Sequence, residues 1–235
     1  MGVLSALLAG ESWVSYSIHQ KGFNAFTTGV YEEGSEPLEK ALERKGVSVT
    51  CIRAHRAGRD FPQSLEGLQK HDAVALSDIG SDTLLLHPDT FAGSKSTADR
   101  PELIRQYVAQ GGGFIMLGGY LSFQGYGGAA HYRFTPVEEI LPVELYDCDD
   151  RVECPSGFAP GVVADHEITR GLPKSWPPPP RLQQGEVEGE DPGQDGQGRP
   201  SPRRRGVRSG ADCRLGLRLL PPLGSAGIRE LGSLR

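Results

Sequence analysis

A mixed α/β fold on a mostly parallel sheet is predicted by three observations. Short apolar runs alternate with helix signals from Val3 to Trp176. Polar or glycine-rich clusters follow three of those runs directly, at Glu11-Ser12-Trp13, Ser77-Asp78-Ile79-Gly80 and Gly118-Gly119-Tyr120. The composition then breaks at Pro177, so 1–176 reads as a domain and 177–235 as a low-complexity tail.

Taken in order, Val3–Ala9 is a buried first strand that stops at Gly10. Ser35-Glu36-Pro37 opens a helix with an N-cap residue and an early proline, and Gly46 closes it. Leu38, Ala41 and Leu42 share one face of that helix. Val47–Ile52 is a second strand, Ser64–Lys70 a short helix and Ala73–Leu76 a third strand. Arg100–Gln110 is a helix with Pro101 near its start and Gly111-Gly112-Gly113 as its stop. Phe114–Leu117 is the fourth strand. A parallel sheet of this kind is covered by helices on both faces and binds ligands beyond the carboxyl ends of its strands.

The tail is another kind of sequence. It is rich in Gly, Pro and Arg and holds no aromatic residue, Lys or His. Such a segment cannot bury enough apolar surface to offset its ordering entropy, so it is expected to be disordered. Its charge balance is basic, whereas that of the part before it is acidic.

Several function classes are excluded as expectations. A formal net charge of -5 disfavours nucleic acid as a partner, and Arg203-Arg204-Arg205 has no aromatic beside it. No apolar run is long enough to span a membrane, and MGVLSALLAG lacks the basic start of a signal peptide. Cys51, Cys148, Cys154 and Cys213 show no CxxC spacing, which argues against structural zinc and a disulfide scaffold and for a reducing, cytoplasmic setting. Gly111–Gly113 is followed by no dinucleotide or Walker pattern, and no metal or cofactor is named by the sequence. The partner expected is a small polar molecule of unidentified structure, with a homo-oligomer also open.

Candidate acid/base residues are Glu11, His19 and Asp78. Glu11 is either a carboxylate at the site mouth beside Trp13 or a capping group. His19, in SIHQKG, is either a proton carrier or metal ligand, or a loop histidine bonded to backbone. Asp78 either orients a ligand or His19, or closes the strand in an Asx turn. Ser12, Trp13, Gly119, Tyr120 and Gln124 are candidate ligand contacts, with core packing the other reading of Tyr120. Arg53, His55 and Arg56 read as a solvated basic face, and His166 as structural.

GESWVSYSIHQKGFNAFTTGVYEEG, LSDIGSDTLLL, GGGFIMLGGYLSFQGYGG, TPVEEILPVEL and DHEITRGLP, in that order, resemble a bacterial family of putative glutamine amidotransferase-like proteins related to the ThuA-like branch of the class I superfamily. The resemblance covers roughly residues 1–180. It implies a flavodoxin-like three-layer sandwich. It also implies a Cys nucleophile on a tight turn after a strand, in a pattern like G-x-C-x-G, but here Gly118-Gly119-Tyr120-Leu121-Ser122 puts Tyr120 in that place. A phenol is a poor nucleophile at neutral pH, and Ser122 lies two residues past the turn outside a G-x-S-x-G context, so thiol-based glutamine hydrolysis is not expected. The function expected is an amidotransferase-like domain binding a small polar ligand at the strand ends, with acid/base or metal-assisted chemistry. The alternative is a non-catalytic binding module of the same fold.

The family resemblance also implies a further strand and helix after residue 180, which this chain lacks. Reading the tail's codons one base forward, Pro179–Gln184 permits L-L-G-Y-N-K, Pro200–Arg205 permits P-L-L-V-V-G, and Leu217–Gly224 permits S-D-C-S-P-H-W-G. Three ordered matches at a composition break point to a shifted frame near Pro177–Pro180. A chain so shifted loses cover on one sheet edge and one sheet face.

Overall fold

The computed structural model describes residues 3–151, 169–173 and 216–218. His166, Cys154, Cys213 and all of the tail except 216–218 lie outside the described residues, and with them the expectation of tail disorder.

The chain runs β1 (Ser5–Gly10), β2 (Ser12–Lys21), β3 (Asn24–Glu33), α1 (Glu36–Arg44), β4 (Ser48–Ile52), α2 (Ala54–Asp60), α3 (Leu65–Leu68), β5 (Ala73–Ser77), α4 (Ser81–Leu85), α5 (Pro88–Gly93), α6 (Arg100–Ala109) and β6 (Gly113–Leu117). The short β7 (Gly216–Arg218) follows. The main sheet has the order β4-β1-β5-β6-β7, with the first four strands parallel. Relative to β1, the chain moves first to β4 and then back across to β5 and β6. The order therefore reverses between β1 and β5, the crevice where doubly wound folds hold ligands. The fold is the flavodoxin-like α/β arrangement expected.

The register sets the core. Leu7, Val74 and Phe114 lie side by side on one face, as do Ala9, Leu76 and Met116. All six are buried, and Ala57, Phe61, Leu68, Leu84, Ile104, Tyr107 and Val108 of the α2–α6 region close over them. The opposite face is built differently. Leu8 is buried there, but Ala6, Ala75, Ile115 and Leu117 are only half-buried. Right-handed crossovers put α1 on that side, and α1 itself buries no residue. Helices on both faces were expected, with cover lost from one face if the frame is shifted; among the described residues the sheet is sealed on one face only. The edge of β6, expected to be bare, pairs with β7 antiparallel over Phe114–Met116.

Helix ends follow the local chemistry. Asp99 caps α6 by accepting from Glu102 N at 3.1 Å, and Ser64 caps α3 by accepting from Gly67 N at 3.2 Å. Gly111, at φ 98°, ends α6 with Gly112 N donating to Tyr107 O at 3.0 Å, so the glycine triplet is a C-cap. Ser35 does not cap α1 as expected, because its hydroxyl bonds Glu39 and Arg53 instead of a backbone N–H.

Between β1 and α1 the chain builds an arm that the reading of buried strands leaves out. β2 and β3 pair antiparallel over ten residues each, from Ser12–Glu33 at the root to Lys21–Asn24 at the tip. Gly22, at φ 63°, supplies the left-handed position of the two-residue turn.

Candidate functional site

The strand ends at the β1/β5 crevice carry two acidic residues in an unusual backbone state. Glu11 has φ 49° and Asp78 has φ 52°. Left-handed backbone at a residue other than Gly, Asn or Asp is uncommon, and it persists only where the surroundings dictate it. At Glu11 those surroundings are visible. Its N–H donates to Ser77 O at 2.9 Å, extending the β1–β5 ladder by one step. Its carboxylate accepts from the Ser77 hydroxyl. Its carbonyl accepts from Gly34 N at 3.0 Å, where the arm returns. A Cβ on Gly10 would stand 1.7 Å from Ser77 O, so that glycine is required by close approach, while one on Gly34 would stand 2.6 Å from Glu11 Oε1 and push that carboxylate aside.

Asp78 sits in a strand–turn–helix connection: β5 ends at Ser77, Gly80 is the N-cap and α4 begins at Ser81. Its N–H donates to Ser122 Oγ at 3.1 Å and its Oδ1 accepts from Leu121 N at 2.6 Å. A Cβ on Gly119 would lie 2.8 Å from that Oδ1. The turn is backed by Tyr132, fully buried, whose hydroxyl donates to Ile79 O at 2.7 Å, and by Ser81 N donating to Ala130 O at 2.8 Å. Because Gly10 and Ser77 are register partners and end their strands, Glu11 and Asp78 are the first residues beyond two adjacent strands.

The other expected site residues are distributed less simply. Gly119 belongs to the pair's surroundings through Asp78. Tyr120 is half exposed beside it, edge-on to Tyr126 at 5.8 Å between ring centroids. Its backbone is not left-handed, whereas that of Asp78 and, three residues further on, that of Phe123 are. Ser122 is buried and accepts from Asp78 N, so it holds the turn. Gln124 is buried, with Oε1 accepting from Arg133 N at 3.3 Å and its backbone N–H donating to Asp150 at 2.8 Å. Ser12 is buried and accepts from Ala54 N at 2.9 Å, at the start of α2. Trp13 lies on the arm and donates to Glu32 at 2.9 Å.

His19 does not join the carboxylates within this chain. It lies seven residues beyond Ser12 along β2, roughly 23 Å up the arm at a strand's rise per residue. There it stacks on Phe26, with ring centroids 4.6 Å apart, and its Nε2 lies 3.2 Å from Thr28 Oγ1.

Two parts of the surroundings depart from the sequence reading, one by correcting it and one by adding to it. Arg53 is not on a solvated face: it pairs with Glu33 and Glu39, each at 2.8 Å, and bonds Ser35. The Glu39 carboxylate in particular raises its pKa. This cluster fastens the arm's root to the end of β4. Beyond β6, the Asp150 carboxylate accepts from Gln124 N at 2.8 Å and Gly125 N at 2.7 Å, and Asp149 accepts from Gly127 N at 2.8 Å. Burial pushes the Asp150 carboxyl up, against those two bonds. Arg151 pairs with Asp149 and lies 3.7 Å from the Tyr126 ring centroid, so the loop after β6 is clamped by three consecutive residues. The run Asp149-Asp150-Arg151 beside a glycine-rich loop was the available signal.

Cys51, at the end of β4, is a poor thiol nucleophile here. Burial first, then the neighbouring Glu39, pushes it up to about 11. Among the described residues no cluster of three or more His, Cys, Asp or Glu is placed to hold a metal ion, and no helix is long and apolar enough to cross a membrane.

Two solved structures are similar to the chain. Cytoplasmic protein STM1381 from Salmonella typhimurium LT2 is 44% identical with a TM-score of 0.71, over 74% of this chain and 71% of that one. Cytoplasmic protein STM3548 from Salmonella typhimurium is 42% identical with a TM-score of 0.70, over 73% of this chain and 70% of that one. No curated protein matches the sequence. The family model described as putative glutamine amidotransferase matches residues 5–193, running past the composition break at Pro177. With that match over most of its length, the chain belongs to the putative glutamine amidotransferase family.

Proposed function

We propose that this family member binds a small polar ligand in the crevice beyond β1, β5 and β6, and that Glu11 and Asp78 supply its acid/base chemistry without a thiol nucleophile. The observation that carries this reading is the pair of left-handed acidic residues ending adjacent strands at the switch point. Strained, closely supported polar residues at such a place are the pattern of a reactive site. A carboxylate pair can hold a polar ligand by hydrogen bonds, and one member can take a proton that the other returns. The exposed edge of Tyr120 adds a hydroxyl donor at the same rim. Metal-assisted chemistry stays an option for a ligand that brings its own cation.

The chain's formal net charge of -5 supports a small polar molecule rather than nucleic acid or an anionic membrane as the partner. The names of the two Salmonella neighbours support a cytoplasmic setting.

The test is ammonia release from a panel of small primary amides, L-glutamine first, by the wild type, Glu11→Gln and Asp78→Asn. Each substitution keeps the side chain's shape and removes its charge. Loss of at least about 100-fold in turnover in both is expected, the scale of a general acid/base contribution. Undiminished turnover in either removes that residue from the chemistry. Ligand binding without turnover that survives both substitutions supports the non-catalytic module.

A further inference from the structure

The β2–β3 arm has a face that nothing among the described residues covers beyond its root. Residues directly opposite on antiparallel strands share a face, so Val14, Tyr16, Ile18 and Gln20 stand with Tyr31, Gly29, Thr27 and Ala25. No charge interrupts this set. Tyr16 and Ile18 are 73% and 77% exposed, and Phe23 at the tip is fully exposed. The Tyr16 ring lies across Gly29, where a Cβ would stand 3.1 Å from its Cε1, so the face is smooth as well as apolar. The attachment visible on this face is at the root: Tyr31 meets His55 edge-on at 5.4 Å and donates to Glu33 at 2.7 Å. A two-stranded ribbon standing in water is marginal by itself, and contiguous apolar surface of this kind marks an interface.

We propose that the arm is exchanged between two copies of this chain, each laying its Val14–Tyr16–Ile18 face on the body of the other about a two-fold axis. The area selects this arrangement. Ten residues give an arm about 33 Å long, and two strands with their side chains a width of roughly 10 Å, so one face covers about 330 Å². Two arms stacked on each other would bury about 700 Å² in total, the size of a packing contact. Reciprocal exchange puts two arm faces on two body surfaces and buries about 1,300 Å², within the range of specific dimers.

Charge complementarity gives the direction. Lys21 stands at the tip, while Glu32 at the root, on the opposite strand, accepts from Trp13 and Ser15 and pairs with no cation among the described residues. Eight strand positions separate Lys21 from Glu32 along the arm's length, so they cannot meet within one chain. Arms running antiparallel across a two-fold axis bring each tip lysine to the root glutamate of the other copy. Both residues belong to the arm's other face, so the pair lies at the rim of the contact and fixes its direction rather than filling it. An isologous contact of this form makes every such pairing twice.

The experiment is sedimentation velocity on the full chain at about 10 μM, with circular dichroism to confirm folding. The wild type is expected to be a dimer, and Tyr16→Arg with Ile18→Arg a monomer, because both side chains are exposed and the body does not depend on them. Ser17→Arg, on the other face of the arm, is expected to remain dimeric. Lys21→Glu is expected to weaken the dimer at least threefold, and Glu32→Lys added to it to restore part of the loss. A monomeric wild type overturns the proposal. So does a dimer that persists in the Tyr16/Ile18 double variant, or one indifferent to Lys21→Glu. The last comparison also decides the matter should the double variant fail to fold.

Discussion

Replacing Arg100 by Met removes a cation buried in the core. Arg100 is 1% exposed and begins α6, yet its partners are not carboxylates. Its guanidinium donates instead to four backbone carbonyls: Ala57 O at 3.2 Å, Gly58 O at 2.9 Å, Thr83 O at 3.0 Å and Leu84 O. These belong to the last turns of α2 and α4, where helical carbonyls carry the negative end of the helix dipole; of the four, Ala57 O also accepts from Phe61 N. One side chain therefore caps two helices at once. Burial lowers its pKa, so desolvation opposes those four bonds.

The magnitude follows from what Met leaves behind. Leu84 O is bonded in buried surroundings, and a buried acceptor left without a donor costs about 1–3 kcal/mol, whereas Ala57 O keeps the bond from Phe61 N at 3.2 Å. The other two bonds are part-buried, so water recovers most of their loss. Relief of the arginine's desolvation offsets some of the total, giving a net destabilisation of about 2–3 kcal/mol. Arg100→Lys keeps the charge but not the planar fork, and should lose about 1–2 kcal/mol. Urea unfolding followed by circular dichroism measures both. α4 opens directly after the Asp78 turn, so amide exchange at Ile79–Ser81 should rise with the loss. A stability for Arg100→Met within about 1 kcal/mol of wild type would refute the double-cap reasoning.

Three other outcomes are expected. Gly119→Ala pushes on the Asp78 carboxylate, whose Oδ1 would be 2.8 Å from the new Cβ, while the fold has only a side chain to move. Turnover should fall roughly 10- to 100-fold, as for a misplaced reacting group, with stability changed by less than about 1 kcal/mol. Glu102 is held down to about 2 by Arg105 first and Gln106 second. A carboxyl lowered in the folded state contributes stability above its ordinary value and loses it as pH falls from 4.5 towards 2, so Glu102→Gln should flatten that part of the acid unfolding curve. DNA encoding residues 170–235 should carry a gained or lost base near Pro177–Pro180; an unbroken frame there would make the tail genuine.

The four parallel strands were legible because buried parallel strands are short, apolar and bounded by glycine or polar stops, and each lies within one or two residues of its expected place. Helix α6 was legible through Pro101 and the glycine triplet. The arm was not, although Val14, Tyr16 and Ile18 alternate at period two and Gly22 marks its turn. Its alternating residues face no core, so hydrophobic pattern alone had no layer to assign them to. In the site, Glu11 and Asp78 could be placed at strand ends from position alone. Their left-handed backbones could not, because those rest on Ser77, Gly34, Gly119 and Ser122 approaching from distant parts of the chain. Arg53 and Arg100 were misjudged or passed over for the same reason: the groups they bond to are brought together only by tertiary structure.

The proposal that acid/base chemistry proceeds without a thiol is most directly tested with a variant carrying Cys51→Ser, Cys148→Ser, Cys154→Ser and Cys213→Ser together, assayed beside Asp78→Asn for ammonia release from the amide panel. Turnover by the cysteine-free chain within about threefold of wild type, with at least about 100-fold loss in Asp78→Asn, is the predicted result. Turnover that disappears with the cysteines and survives in Asp78→Asn would contradict it.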